Sequence, residues 1–163
     1  MRECTFKELS INELEECAEV IRKGFGTVAK DFGLNNENCP TNGTFIKVDR
    51  LIADKNKGNL MYSINVDDKI IGFMQLEKKS CEHYELEKIT VLQEYRHFGY
   101  GKKLLEFAKK IVKELNGKII SIGIIEENTI LKQWYQKNGF VHKGTKEFEF
   151  LPFKVGFMEI IIE

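Results

Sequence analysis

The chain has 163 residues, of which 42% are hydrophobic, and its 25 lysines and arginines balance its 25 aspartates and glutamates. This length favours a single domain over residues 1–163 with a sizeable core. Zero net charge argues against proteins that coat nucleic acid duplexes or bind membranes electrostatically, because both classes depend on excess positive charge. The start of the chain lacks an apolar signal segment, no apolar run reaches the length of a membrane span, and the four cysteines are scattered. We therefore expect a cytoplasmic protein with reduced thiols, no bound metal, and neither a nucleic-acid nor a membrane partner.

The first third of the chain is predicted to contain one strand and two helices. Residues 2–8 are predicted to form the strand, and Ser10–Glu13 has the pattern of a capping box that begins a helix. That helix is expected to weaken at Gly24–Gly26, because glycine is a poor helix former. A loop rich in asparagine and glycine follows over residues 31–43, and a second helix is predicted for Thr44–Lys57.

The middle of the chain changes to a strand pattern. Residues 60–66 and 69–79 flank Asp67-Asp68 and predict a hairpin, and a third strand is predicted for Tyr84–Leu92. Residues 101–115 place apolar side chains at helical spacing with lysines opposite, which predicts an amphipathic helix.

The last third is predicted to return to the same sheet. Residues 118–125 form a nearly continuous apolar run, which is typical of a buried strand. A short helix is predicted over Asn128–Asn138, and two further strands are predicted at residues 140–150 and 153–162. The predicted class is therefore α/β of the α+β type, with helices around one sheet.

The stretch RHFGYGKK, Arg96–Lys103, joins a predicted strand to a predicted helix. The first amides of a helix lack intrahelical partners and lie at the positive end of its dipole, so they favour an anion. Gly99 and Gly101 allow the backbone to bring several amides toward one point, and the stretch also carries one arginine and two lysines. It therefore suits a phosphate or pyrophosphate, although it matches neither a P-loop nor the three-glycine dinucleotide fingerprint. The alternative is an ordinary turn with solvated lysines.

Two motifs in the second half of the chain resemble those of the GNAT superfamily of N-acetyltransferases. Arg96-x-x-Gly99-x-Gly101 matches the superfamily's [QR]-x-x-G-x-[GA] motif, and Asn128 followed by WYQKNGF at residues 134–140 resembles its downstream segment. The resemblance implies a GNAT fold, in which a mixed, mostly antiparallel central sheet splays after its fourth strand and is flanked by helices. It also implies direct transfer of an acetyl group from acetyl-CoA, the co-substrate, to an amine in a ternary complex.

The resemblance also implies where acetyl-CoA binds. The backbone amides near Phe98–Lys102 would hold the pyrophosphate, and the strand edge at Ile89–Val91 would bind the pantetheine arm. The Val91 amide is the candidate donor to the thioester oxygen, and Asn128 would brace the pantetheine. The cofactor-binding residues implied in this way are Ile89, Thr90, Val91, Arg96, His97, Phe98, Gly99, Tyr100, Gly101, Lys102 and Asn128.

Three residues are the candidates for acid–base chemistry. By the resemblance, Tyr135 lies near the sulfur and donates to the leaving thiolate; the alternative is a tyrosine in the core. An amine that is mostly protonated near neutral pH also needs a base. Glu85 and Glu87 share one face of a predicted strand unless a bulge intervenes, and either is a candidate for that base. A half-dry cleft would raise the pKa of such a carboxyl, whereas ordinary surface glutamates are the alternative.

The acceptor is the least specified part of the prediction. Glutamates on or just after neighbouring strands would attract a cationic amine if they cluster, and these are Glu82, Glu85, Glu87, Glu126 and Glu127. We predict N-acetylation of a small-molecule primary amine of the polyamine, amino sugar or amino acid type. Protein lysine or N-terminal acetylation and a non-catalytic acyl-CoA-binding module are the alternatives, and a homodimer remains open.

Overall fold

The computed structural model describes residues 2–163. Its strands are β1 Thr5–Glu8, β2 Leu60–Val66, β3 Lys69–Lys78, β4 His83–Val91, β5 Ile119–Ile125, β6 Val141–Glu147 and β7 Lys154–Ile161. They form one seven-stranded sheet in the order β1-β2-β3-β4-β5-β7-β6, in which every neighbouring pair is antiparallel except β4 and β5. The predicted mixed, mostly antiparallel sheet is therefore confirmed.

The helices are α1 Leu14–Asp31, α2 Val48–Asn56, α3 Tyr100–Glu114 and α4 Thr129–Lys137. The predicted capping interaction precedes α1, because the Ser10 amide donates to Glu13 Oε1 over 3.1 Å. Within residues 2–163, no helix combines the length and the apolar character that a membrane crossing requires.

The expected weakening of the first helix at Gly24–Gly26 is wrong, because α1 continues unbroken to Asp31. A Cβ atom at Gly24 would overlap the side chain of Thr90 on β4, so the glycine allows the helix to pack closely against the strand. The second helix also begins later than predicted. Asn42 caps a single 3-10 turn, its side chain accepting from the Thr44 amide at 2.9 Å, and α2 then starts at Val48.

Two hydrophobic cores lie on opposite faces of the sheet. One packs α3 and α4 against it through residues such as Leu104, Val112 and Tyr135. The other packs α1 and α2 against β2 and β3, with Ile21 and Phe73 fully buried. Because side chains alternate along a strand, each strand residue points either to the face with α3 and α4 or to the face with α1 and α2.

The parallel pair at the centre of the sheet is short. β4 and β5 are in register only at His83–Ile119, Tyr84–Ile120 and Glu85–Ser121. Beyond Glu85 the two strands diverge, and β4 carries a bulge where Lys88 has a φ of 53°. The predicted splay after the fourth strand is confirmed, and it opens a cleft in the middle of the sheet.

Candidate active site

The turn before α3 leaves several backbone amides without helical partners. His97 has a φ of 67° and Gly99 a φ of 92°, so the chain turns sharply before the helix. The first hydrogen bond of α3 runs from the Lys103 amide to the Gly99 carbonyl over 3.1 Å. The preceding amides of Tyr100–Lys102 therefore lie at the helix N-terminus and can bind an anion, which agrees with the pyrophosphate site implied by the sequence.

Two residues at the start of α3 are fixed by the surrounding structure. The Tyr100 hydroxyl donates to the Arg2 carbonyl at 3.1 Å and accepts from the Arg2 amide at 3.0 Å, so its ring is anchored in the protein. Gly101 faces α4, where an added Cβ would lie 3.1 Å from Trp134 Cζ2. A larger residue at position 101 would therefore push α3 away from α4.

The Arg96 guanidinium binds protein acceptors. Its Nε donates to the Val91 carbonyl at 2.9 Å, Nη1 to Thr27 Oγ1 at 2.8 Å, and Nη2 to the Gly24 carbonyl at 2.8 Å. Burial lowers the pKa of this guanidinium. We assign the side chain to joining α1 with the end of β4, and the cofactor contact predicted for Arg96 stays a prediction.

The open edge of β4 presents the Val91 amide to the cleft. The Leu92 amide donates to Ile71 on β3 over 2.8 Å, and adjacent residues of an antiparallel strand point their amides to opposite sides. The Val91 amide therefore points away from β3, toward the gap left by β5. This orientation is the one that a donor to a thioester oxygen requires. Residues Ile89–Val91 pair with no strand of the described chain on this side, although the Val91 carbonyl accepts from Arg96.

Glu85 and Glu87 share one face of β4, and Glu77 of β3 lies beside them. One carboxylate oxygen from each of the three lies within 4.8 Å of the others. Lys79 forms ion pairs with two members of this cluster, since its Nζ is 3.6 Å from Glu77 and 3.5 Å from Glu85. The carboxylates are thus brought together on the face covered by α1 and α2.

Glu87 is the carboxyl with the properties of a base near neutrality. Burial, reinforced by a hydrogen bond with Glu77, raises its pKa to about 7. The same hydrogen bond, with support from Lys57, lowers the pKa of Glu77. Glu87 stands two residues beyond the last pairing of β4 with β5, at the start of the cleft.

A buried network holds the Glu87 side chain. Gln75 is completely buried, and its Nε2 donates to Asp54 Oδ2 at 3.0 Å and to Glu87 Oε2 at 3.2 Å. Lys88 Nζ lies 3.2 Å from Asp54 and 3.4 Å from Glu87. Although burial disfavours its charge, hydrogen bonds from Gln75 and Lys88 hold the pKa of Asp54 below its usual value. Sequence reasoning missed these partners, although a glutamine within the apolar run of β3 was a signal.

Tyr135 belongs to α4 and is buried in the core on the face of the sheet opposite Glu87. It is 3% exposed and packs edge-on against Trp134 and Phe140, with ring centroids 4.9 Å and 5.3 Å away. Burial raises the pKa of its hydroxyl, and no group within residues 2–163 hydrogen-bonds to that hydroxyl. Asn128 caps the same helix, its side-chain oxygen accepting from the Leu131 amide at 3.2 Å, and this leaves the side-chain nitrogen for a ligand.

The five glutamates expected near the acceptor do not form one cluster. Glu126 lies on the other face of the sheet, because it is two residues beyond Ile124, whose side chain belongs to the core under α3 and α4. It binds Lys132 and, at 2.9 Å, His142. The Glu82 carbonyl accepts from Ile119 at the start of β5, so Glu82 is at the far end of the strand from Glu126. The expectation of a five-membered acidic mouth is therefore wrong, and Glu85 and Glu87 are the members that meet.

Comparisons with known proteins agree with this geometry. The acetyltransferase (GNAT) family pattern matches residues 31–140, about two thirds of the chain. The chain is 26% identical over 152 residues to the spermidine N(1)-acetyltransferase of Thermoplasma acidophilum, covering 89% of this chain and 92% of that protein. It is also 27% identical over 89 residues to an uncharacterized N-acetyltransferase in the pepI 3' region of Lactobacillus delbrueckii subsp. lactis. That match covers 50% of this chain and 51% of the relative, about half of each.

A solved structure shares the whole architecture. The crystal structure of the PaiA N-acetyltransferase from Thermoplasma acidophilum, in complex with coenzyme A, superposes with a TM-score of 0.76 at 22% identity. The superposition covers 98% of this chain and 99% of that one, so the likeness extends through all seven strands. Together with the family match, the splayed sheet and the glycine-containing turn before α3, it leads to one conclusion: the chain belongs to the GNAT family of acetyltransferases.

Proposed function

We propose that this protein transfers the acetyl group of acetyl-CoA directly to the primary amine of a small molecule. The observation that carries the proposal is the position of Glu87, a carboxyl with a pKa of about 7 at the point where β4 leaves β5. A base with that pKa is half ionised near neutrality, so it can remove a proton from an ammonium group and release it again in each cycle. The coenzyme A complex of the PaiA relative supports the choice of donor.

Three groups act in the proposed reaction, and each has one role. The ionised Glu87 carboxylate accepts the proton of the bound ammonium, and the neutral amine attacks the thioester carbon. The Val91 amide, which faces the cleft, donates to the oxygen on which negative charge develops. The Tyr135 hydroxyl gives its proton to the sulfur as the carbon–sulfur bond breaks. The second proton of the attacking nitrogen leaves through the cleft and returns Tyr135 to its neutral form, which yields an N-acetyl amine and free coenzyme A.

The environment of Tyr135 fits the role of an acid. Its hydroxyl is surrounded by apolar rings and burial raises its pKa, so it is protonated at neutral pH and available as a donor to a thiolate that forms beside it. The role predicted for Tyr135 from the motif is thus chemically compatible with its position. Glu85, by contrast, lies within the part of β4 that pairs with β5, whereas Glu87 lies beyond it, and this favours Glu87 as the base.

The proposal can be tested by following free thiol release from acetyl-CoA with a library of primary amines. Wild-type protein should release thiol with at least one amine, and Glu87→Gln should reduce that rate by roughly 100-fold or more. Glu15→Gln, the same change on the exposed surface of α1, is the matched control and should keep the wild-type rate. Equal rates for Glu87→Gln and wild type would refute Glu87 as the base. Binding of acetyl-CoA without transfer to any amine would instead favour the non-catalytic module.

A further inference from the structure

We infer that the acceptor is a monoamine with an apolar, preferably aromatic, body, bound in a trough beside Glu87 on the surface of β5 and β7. This inference rests on the proposed function and adds the class of acceptor. The trough is defined by Gly123 as its floor and by Val155 and Phe157 as its walls. The position of these side chains indicates an apolar body, and the ion pairs around Glu87 indicate a single ammonium group.

The register of the sheet puts the trough on the same face as Glu87. Glu85 pairs with Ser121, and Gly123 pairs with Phe157, so residues 85, 87, 121, 123 and 157 all point to one side. This is the face that α1 and α2 cover over β2 and β3. Their hydrophobic core includes no residue of β5, β6 or β7 within residues 2–163, so the face is uncovered beyond the cleft.

The trough has a defined shape because its floor lacks a side chain. A Cβ atom added to Gly123 would lie 3.2 Å from Val155 Cγ1 and 4.0 Å from Phe157 Cε1. These two apolar side chains therefore flank Gly123, which is itself exposed, and Phe157 is 36% exposed. At the paired end of the strands, His83 Nε2 and Ser121 Oγ are 2.6 Å apart, so polar side chains lie at that end of the trough. Its other end lies where β4 and β5 diverge.

The charges around Glu87 favour one ammonium group over several. The carboxylates of Asp54, Glu77, Glu85 and Glu87 each have a cationic partner, and these partners are Arg50, Lys57, Lys79 and Lys88, at 3.2 to 3.6 Å. A polycation would thus meet carboxylates whose charge is already compensated, and it would lie against Phe157 and Val155 without gaining from them. A monoamine with an aromatic body places its single charge at Glu87 and its ring over Gly123.

One carboxylate on this face is an exception. Glu159 pairs with Ser121 across β5 and β7 and takes part in no ion pair within residues 2–163. It lies level with Glu85, at the end of the trough where β4 and β5 pair, and a second ammonium group of a diamine or polyamine could bind there. A direct comparison of acceptors therefore has to include a polyamine.

The test compares phenethylamine, n-butylamine and spermidine as acceptors at saturating acetyl-CoA. We expect kcat/KM for phenethylamine to exceed that for either of the others by roughly tenfold or more, because only its ring fills the trough. Gly123→Val should raise the KM for phenethylamine by about tenfold, and Phe157→Ala should lower its kcat/KM by a similar factor. Calorimetry should show unchanged acetyl-CoA affinity for both variants. Ile130→Ala, which trims an 82% exposed side chain on α4, is the control and should change nothing.

The outcomes separate this inference from the proposed function. If spermidine or n-butylamine is acetylated as efficiently as phenethylamine, and Phe157→Ala has no effect, the acceptor class is wrong while acetyl transfer stands. If acetyl-CoA binds but none of the amines is acetylated by any variant, the proposed function and the inference both fail. Sedimentation of wild type and Phe157→Glu tests the remaining alternative, in which a second copy of this chain covers the face. A wild-type dimer that this variant dissociates without changing kcat/KM would show that the face is an interface between two copies, and would overturn the inference.

Discussion

Gln75→Leu should raise the pKa of Glu87 and shift acetyl transfer to higher pH. In the wild type, Gln75 Nε2 donates to Glu87 Oε2 over 3.2 Å, and this hydrogen bond favours the ionised carboxylate. Leucine has a similar volume and no donor, so it removes that preference. Because the second N–H of the same amide serves Asp54 at 3.0 Å, each carboxylate loses one donor.

The size of the shift follows from the energy of one charge-assisted hydrogen bond. Such a bond contributes about 1.5 kcal/mol at the lower end of its range, which suits a carboxyl that retains some exposure, and one pKa unit corresponds to about 1.4 kcal/mol. The pKa of Glu87 should therefore rise from about 7 by roughly one unit. At neutral pH the ionised fraction falls from about one half to about one tenth, and kcat/KM should fall about fivefold.

The assay is the pH profile of kcat/KM between about pH 5.5 and about pH 9.5, with the acid limb fitted for each protein. Because Glu87 must be ionised to accept a proton, the limb should move upward in Gln75→Leu and the two profiles should converge above about pH 9. Gln136→Leu makes the same change on the exposed side of α4 and should leave the limb in place. An unchanged limb in Gln75→Leu, or a limb that persists in Glu87→Gln, would refute the reasoning. A loss that is equal at every pH would indicate a packing defect.

Three further predictions concern the rest of the site. Tyr135→Phe should lower kcat by roughly 100-fold while calorimetry shows little change in acetyl-CoA affinity; equal losses in both would indicate a packing role. Gly101→Val should abolish measurable acetyl-CoA binding while the circular dichroism spectrum is retained, because the new side chain meets Trp134 at the start of α3; intact binding would contradict the assignment of the turn. Gly24→Ala should cost about 1–3 kcal/mol of folding free energy in denaturant titration, since its methyl group overlaps Thr90, and Thr90→Ala should restore part of the loss.

The local parts of the fold could be predicted from the sequence. The turn before α3 depends on adjacent residues, and its left-handed Gly99 was visible in the motif. The role of Gly24 could not be predicted in the same way. A glycine within a helix signals a weak helix when the sequence is considered alone, whereas here it permits contact with Thr90, which is 66 positions away along the chain. Tertiary packing decided between the two interpretations.

The candidate site could be predicted only in part, for a related reason. Glu85 and Glu87 were found because they lie on one strand, and their shared face follows from strand periodicity. Asp54 belongs to α2, so its contact with Gln75 and Lys88 depends on how that helix packs on the sheet. The position of Glu126 depends on the register of β5 against its neighbours, which no local pattern specifies.

The short pairing of β4 with β5 gives the sheet an edge in its interior. Edge amides normally belong to the outermost strands, where they exchange their hydrogens with water rapidly. The Val91 amide should behave in this way although three strands lie on either side of β4, whereas the Leu92 amide, bonded to Ile71, should be protected. A ligand arm that adds itself along this edge would act as an eighth strand and complete the hydrogen bonding of the sheet. Slowed exchange at Val91 on addition of acetyl-CoA would therefore report directly that the gap has been filled.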